Sequence, residues 1–111
     1  MKLPGNAEVI VPEDKIIGYL LSDSHPVGKS KAYYFMALGY NKKDFVRLKK
    51  DLEAIAATNE VAEVISTPFG AKYIIDGEIT GPSGTRKRLR TVWIVETGKT
   101  VPRFVTAYPG D

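Results

Sequence analysis

The stretch Ala71–Glu96, AKYIIDGEITGPSGTRKRLRTVWIVE, decides the fold. Two runs rich in β-branched and aromatic residues, Ala71 to Ile79 and Lys87 to Glu96, flank Thr80-Gly81-Pro82-Ser83-Gly84-Thr85, a segment dense in turn formers. A connection this short closes an antiparallel hairpin but leaves no room for the helix of a parallel crossover. The same texture continues on both sides. Glu60 to Ser66 precedes the hairpin across Thr67-Pro68-Phe69-Gly70, and Arg103 to Ala107 follows it across Thr97-Gly98-Lys99-Thr100-Val101-Pro102. The reading is a four-stranded antiparallel meander over about 60–108. In its third strand Leu89, Thr91, Trp93 and Val95 alternate with Arg88, Arg90, Val92, Ile94 and Glu96, so both faces carry apolar residues and one carries arginines at its start. Trp93, in the middle of that strand, is expected in the core.

Before Asn59 the spacing is helical. Pro12-Glu13-Asp14 has the fixed φ and the acids that favour a helix start, and Ile16, Ile17, Leu20 and Leu21 recur at helical intervals up to about Ser22. Ser22 to Lys29 reads as a loop. A second helix is expected from Ser30 to Leu38, stopped by Gly39. Asn41 is a cap for a third, in which Phe45, Leu48, Leu52 and Ile55 fall three, four and three residues apart. The class that follows is α+β: two to three N-terminal helices, about 12–58, packed on one face of the four-stranded antiparallel β-meander, all in a single domain spanning 1–111.

Composition narrows the chemistry. The 111 residues carry 16 Lys+Arg, 13 Asp+Glu, one His and no Cys, which excludes a disulfide framework, a thiolate nucleophile and a two-histidine metal site. The N-terminal MKLPGNAEVIVPEDK has no signal-peptide apolar run and nothing approaches a membrane span, so the expectation is a cytoplasmic protein with no membrane partner. Gly81-Pro82-Ser83-Gly84 leads into a strand rather than a helix, which rejects a phosphate loop, and Asp76 and Glu78 share a strand face without a third ligand, so no metal site is expected.

The net charge of +3 conceals a pattern: residues 42–50 and 81–111 are each +4, whereas 51–80 is −5. Arg86-Lys87-Arg88-Leu89-Arg90 is a candidate phosphate contact, to be weighed against a solvated strand end. His25, the one side chain that titrates near neutrality, lies in His25-Pro26-Val27-Gly28-Lys29-Ser30-Lys31, a loop entering a helix, where a His beside Lys29 and Lys31 suits proton transfer next to a bound phosphate. The plain alternative is a ring capping a backbone group in a Pro-containing turn. In Pro102-Arg103-Phe104-Val105-Thr106-Ala107-Tyr108-Pro109 the hydroxyls of Thr106 and Tyr108 share a face, and Arg103 joins them only if a bulge intervenes.

The motifs His25-Pro26-Val27-Gly28-Lys29-Ser30-Lys31-Ala32, Arg90-Thr91-Val92-Trp93-Ile94-Val95 and Pro102-Arg103-Phe104-Val105-Thr106-Ala107-Tyr108-Pro109 resemble a small bacterial family of uncharacterised domains. The order of parts is also distantly similar to the barnase, EndoU, colicin and RelE group of metal-independent ribonuclease toxins. That resemblance implies cleavage of RNA through the ribose 2′-hydroxyl, without a cofactor. On it, His25 is the general acid or base, Lys29 or Lys31 and Arg90 clamp the phosphate, Thr106 and Tyr108 supply hydroxyls, and Arg88 and Arg103 bind substrate. The competing expectation is a non-catalytic protein-binding or toxin-neutralising module that pairs with a cognate toxin or antitoxin through its sheet or through the acidic stretch from Asp51 to Glu78.

Overall fold

The computed structural model describes residues 1–21 and 29–110, with side chains from Lys31 onward in the second part. Among them, helices precede a four-stranded antiparallel sheet of order β1-β2-β3-β4, as the turn spacing requires. α1 (Glu13–Lys15) starts at the Pro12 cap and runs into a π-helical turn, Ile16–Leu20, closed by the bond from the Leu21 N–H to the Ile16 carbonyl. That wider turn still buries Ile16 and Leu20. α2 (Lys29–Ala37) stops at Gly39, whose φ of 99° is open to glycine at little cost. A 3₁₀ turn, Lys42–Asp44, opens on a capping box between Asn41 and Asp44 and leads into α3 (Phe45–Thr58), which buries Leu48, Leu52 and Ile55.

The strands are β1 (Val61–Thr67), β2 (Gly70–Thr80), β3 (Arg86–Glu96) and β4 (Arg103–Pro109). The β2–β3 register is unbroken from Thr80↔Arg86 to Gly70↔Glu96, and it sets Asp76 opposite Arg90 and Tyr73 opposite Trp93. Between β3 and β4 the register slips: Val92 faces Thr106 but Trp93 faces Phe104, so Val105 is the extra residue of a bulge. The bulge places Arg103, which faces Ile94, on the same side of the sheet as Thr106 and Tyr108.

The helices cover the other side. Ile75, Ile79, Leu89, Trp93, Phe104 and Ala107 join Phe35, Tyr40, Leu48, Leu52 and Ile55 in one core, with Trp93 fully buried and edge-on to Phe104 at 5.3 Å between centroids. Gly77 permits the close approach of α3 to β2, since a Cβ there would lie 3.0 Å from an Ile55 methyl group. A chain of bonds satisfies the polar atoms of this interior: the Trp93 indole donates to the Thr91 hydroxyl (2.8 Å), which donates to the Ile75 carbonyl (2.8 Å).

α2 is laid across one end of the sheet by three links from a single helical face. Lys31 donates to the Ala107 carbonyl (3.1 Å), Tyr34 donates to the Arg88 carbonyl (3.0 Å), and the Leu38 carbonyl accepts from the Ser83 hydroxyl (2.9 Å) and backbone N–H (3.2 Å). Residues 31, 34 and 38 are one turn apart, so the helix crosses β4, β3 and the β2–β3 turn in succession. No helix among the described residues is long and apolar enough to cross a membrane.

Candidate functional site

Where α2, the start of β3 and the end of β4 meet, a cavity of about 350 Å³ is walled by Asp76, Arg88, Arg90, Tyr108, Pro109 and Gly110. β3 alternation sends Arg88 and Arg90 to the face away from the core, and the facing strands bring Asp76 and Tyr108 alongside Arg90. Asp76 and Arg90 form a two-pronged pair, Nε to Oδ1 at 2.7 Å and Nη2 to Oδ2 at 2.8 Å. The Arg90 hydrogen bond holds the Asp76 carboxyl below the ordinary carboxylate range. Reciprocally, Asp76 first, with Tyr108 adding a smaller push, raises Arg90 further above neutrality.

Lys31 sits over the Tyr108 ring, its Nζ 5.3 Å from the centroid, while it donates to the Ala107 carbonyl. The Arg88 carbonyl accepts hydrogen bonds from both the Tyr34 hydroxyl and the Gly110 N–H (3.0 Å), and the first of these anchors the cavity's rim to α2. Burial pushes the Tyr34 phenol up, so it remains a donor at neutral pH.

The charge surrounding this cavity differs from the charge written along the chain. Arg86 pairs with Glu78 (3.4 Å), Arg90 with Asp76, and Arg103 with Glu96 (3.2 Å). The acids of β2 are therefore spent on the arginines of β3 instead of forming a separate acidic surface. Arg88, exposed on the rim, has no ion-pair partner among the described residues, although its charge also helps to keep Asp76 ionised.

Of the residues singled out in the sequence, Arg88, Arg90 and Tyr108 line the cavity, and Lys31 adjoins it over the Tyr108 ring. Thr106 is one alternation along β4 from Tyr108, and its hydroxyl is bonded to that of Tyr19 (3.2 Å). Arg103 shares the face but lies at the far end of β4, against Glu96 and beside the parallel bridge to Ile10. His25 and the Lys29 side chain lie outside the described residues. Sequence reasoning missed Tyr19, Tyr34 and the pairing role of Asp76. The last was within reach, because counting outward from a turn that sets Thr80 opposite Arg86 brings Asp76 opposite Arg90.

Cations around a small polar cavity, with a phenol beside them, are an arrangement that can bind an anion and stabilise charge developing on it. The comparisons bear on what kind of chain carries such a site. The sequence profile of a family described as a domain of unknown function, DUF6883, matches residues 2–111. The chain belongs to the DUF6883 family. No curated protein matches it. Among solved structures, this DUF6883 domain is similar in fold to a chain of the "Contact-dependent growth inhibition toxin - immunity protein complex from Klebsiella pneumoniae 342", with a TM-score of 0.72 and 18% identity over 96% of this chain and 97% of that one.

Proposed function

We propose that this DUF6883 domain is a ribonuclease-like protein of the toxin type, cleaving RNA by attack of a ribose 2′-hydroxyl on the adjacent phosphate. The observation that carries the reading is the convergence of Arg88, Arg90 and Tyr108 on one cavity, with Lys31 over the Tyr108 ring beside it. The fold shared with a chain of a toxin–immunity protein complex supports it. In this reading Arg88 and Arg90 hold the non-bridging phosphate oxygens, and Lys31 and Tyr108 face the reacting phosphorus. His25, on the segment leading into α2, transfers the proton. A base takes the proton from the 2′-hydroxyl, the P–O5′ bond breaks as the P–O2′ bond forms, and an acid returns a proton to the departing 5′-oxygen. The product is a 2′,3′-cyclic phosphate and a 5′-hydroxyl.

The test is incubation of the purified protein with total RNA in EDTA. Expected are ends carrying 2′,3′-cyclic phosphate, with His25→Ala at least about 100-fold slower. Intact RNA, or equal cleavage by His25→Ala, contradicts the reading.

A second reading, a non-catalytic module that binds a protein partner, is favoured by β1. Among the described residues this strand is a sheet edge, bonded at its start by the Met1 carbonyl, with Val64 47% exposed, Ile65 39% exposed, and Phe69 76% exposed at the adjoining turn. Intact RNA together with a stable complex that Ile65→Lys abolishes would favour it over the enzyme.

A further inference from the structure

We propose that the cavity between Asp76, Arg88 and Tyr108 is a subsite for a singly charged phosphodiester, and that Asp76 sets this charge preference while holding Arg90 in place. The proposal rests on the ribonuclease-like reading for its choice of ligand, but its test requires no cleavage.

The walls bring two guanidinium groups and one carboxylate to a space of about 350 Å³, so they carry one net positive charge. Arg90 commits Nε and Nη2 to Asp76 and also hydrogen-bonds Tyr108, which fixes the plane and direction of its fork and leaves the N–H groups not so engaged for a ligand. Arg88, two residues back on the same face, has no carboxylate of its own among the described residues. An entering diester monoanion takes donors from both arginines and neutralises the net charge. A monoester dianion takes the same donors but brings its second charge up to a carboxylate that Arg90 and Arg88 keep ionised. A purely cationic cleft would prefer the dianion. Asp76 offsets one of the two cations, which halves the dianion's Coulombic advantage while its larger desolvation cost remains, and so matches the cavity to the internal phosphates of a nucleic-acid strand instead of its phosphorylated ends. As a positioning residue it touches Arg90 and acts on the ligand by charge alone.

The experiment is an NMR titration of the full chain, following the Leu89 and Gly110 amides with dimethyl phosphate and, separately, with methyl phosphate. At about pH 7.5 the monoester is mostly dianionic, since its second pKa is about 6. In the native protein dimethyl phosphate is expected to bind at least as tightly as methyl phosphate. In Asp76→Asn the ratio should move toward methyl phosphate by about fivefold, the effect of one charge a few ångströms away in a watery site. Arg88→Gln, which leaves the Asp76–Arg90 pair intact, should abolish both responses. Tighter methyl phosphate binding by the native protein, an unchanged ratio in Asp76→Asn, or undiminished binding in Arg88→Gln overturns the proposal. Should Asp76→Asn not fold, the native ratio and Arg88→Gln still decide. Selective binding without RNA cleavage removes the ribonuclease-like reading and leaves this one standing; cleavage with no response at Leu89 and Gly110 does the reverse.

Discussion

Thr91 is the one polar side chain fully buried among the described residues, and its hydroxyl is the only link between the Trp93 indole and the Ile75 carbonyl. Thr91→Val keeps the shape but strands a buried N–H, so it should lower the unfolding free energy by about 1–3 kcal/mol. A urea titration that leaves the midpoint unmoved would refute this. Inward alternation of Leu89, Thr91 and Trp93 was legible in the sequence; the bond between the last two was not, because a strand pattern says which way a side chain leaves the backbone and nothing about its rotamer. The same limit hid Tyr34, which reads as one more aromatic on an amphipathic helix until its hydroxyl is seen on the Arg88 carbonyl. Arg90 and Tyr108 were legible as polar residues near strand ends, whereas Asp76 needed the register as well.

α2 is held by its polar links to the sheet as well as by the burial of Ala32 and Phe35. Ser83→Ala removes the hydroxyl bond to the Leu38 carbonyl and leaves the backbone bond, and Tyr34→Phe removes the hydroxyl bond to the Arg88 carbonyl and leaves the one from Gly110. Each should cost about 1 kcal/mol and raise amide exchange across residues 31–38 by about fivefold relative to α3. Exchange unchanged in α2, or raised equally in α3, would contradict this docking.

The Asp76–Arg90 pair links β2 to β3 and makes stability pH-dependent. Because the folded carboxyl titrates below its unfolded value, the contribution is fully present above the ordinary aspartate pKa of about 3.9 and is lost as acid takes the pH below it. With the pair partly exposed, the loss is small, under about 1 kcal/mol. Acid unfolding midpoints that coincide for the native chain and Asp76→Asn would show that the pair contributes nothing. Among the elements, α3 was readable from end to end, because its apolar spacing, Asn41 cap and the strands after Asn59 agree. The π-helical turn at Ile16–Leu20 was not, since its slipped hydrogen bonds leave the apolar pattern unchanged. Nor was the β4 bulge, which decides whether Arg103 shares a face with Tyr108 and carries no glycine to mark it.

Taken as a whole, the molecule converts charge blocks in its sequence into cross-strand pairs. The −5 segment and the basic C-terminal block meet where β2 lies against β3, and their opposite charges also favour the register that places Asp76 beside Arg90. What remains is a sheet with a helix-covered face, and an outer face whose arginines, among the described residues, are paired except at Arg88. The α+β class, the strand order and the helix-then-meander layout followed from periodicity and short turns. The location of the site required the strand registers that set Asp76 and Tyr108 beside Arg90, and the bonds that lay α2 across the start of β3 and the end of β4.

The central claim is that this gathering point, and not the whole basic face, is where the chemistry occurs. Initial rates of RNA cleavage by Arg90→Gln and Arg103→Gln, measured beside the native chain, test it most directly, because both arginines lie on the same face, both are paired with a carboxylate, and only Arg90 borders the cavity. The account predicts a loss of at least about 100-fold for Arg90→Gln and less than about threefold for Arg103→Gln. Equal losses in the two variants, or a larger loss in Arg103→Gln, would contradict it.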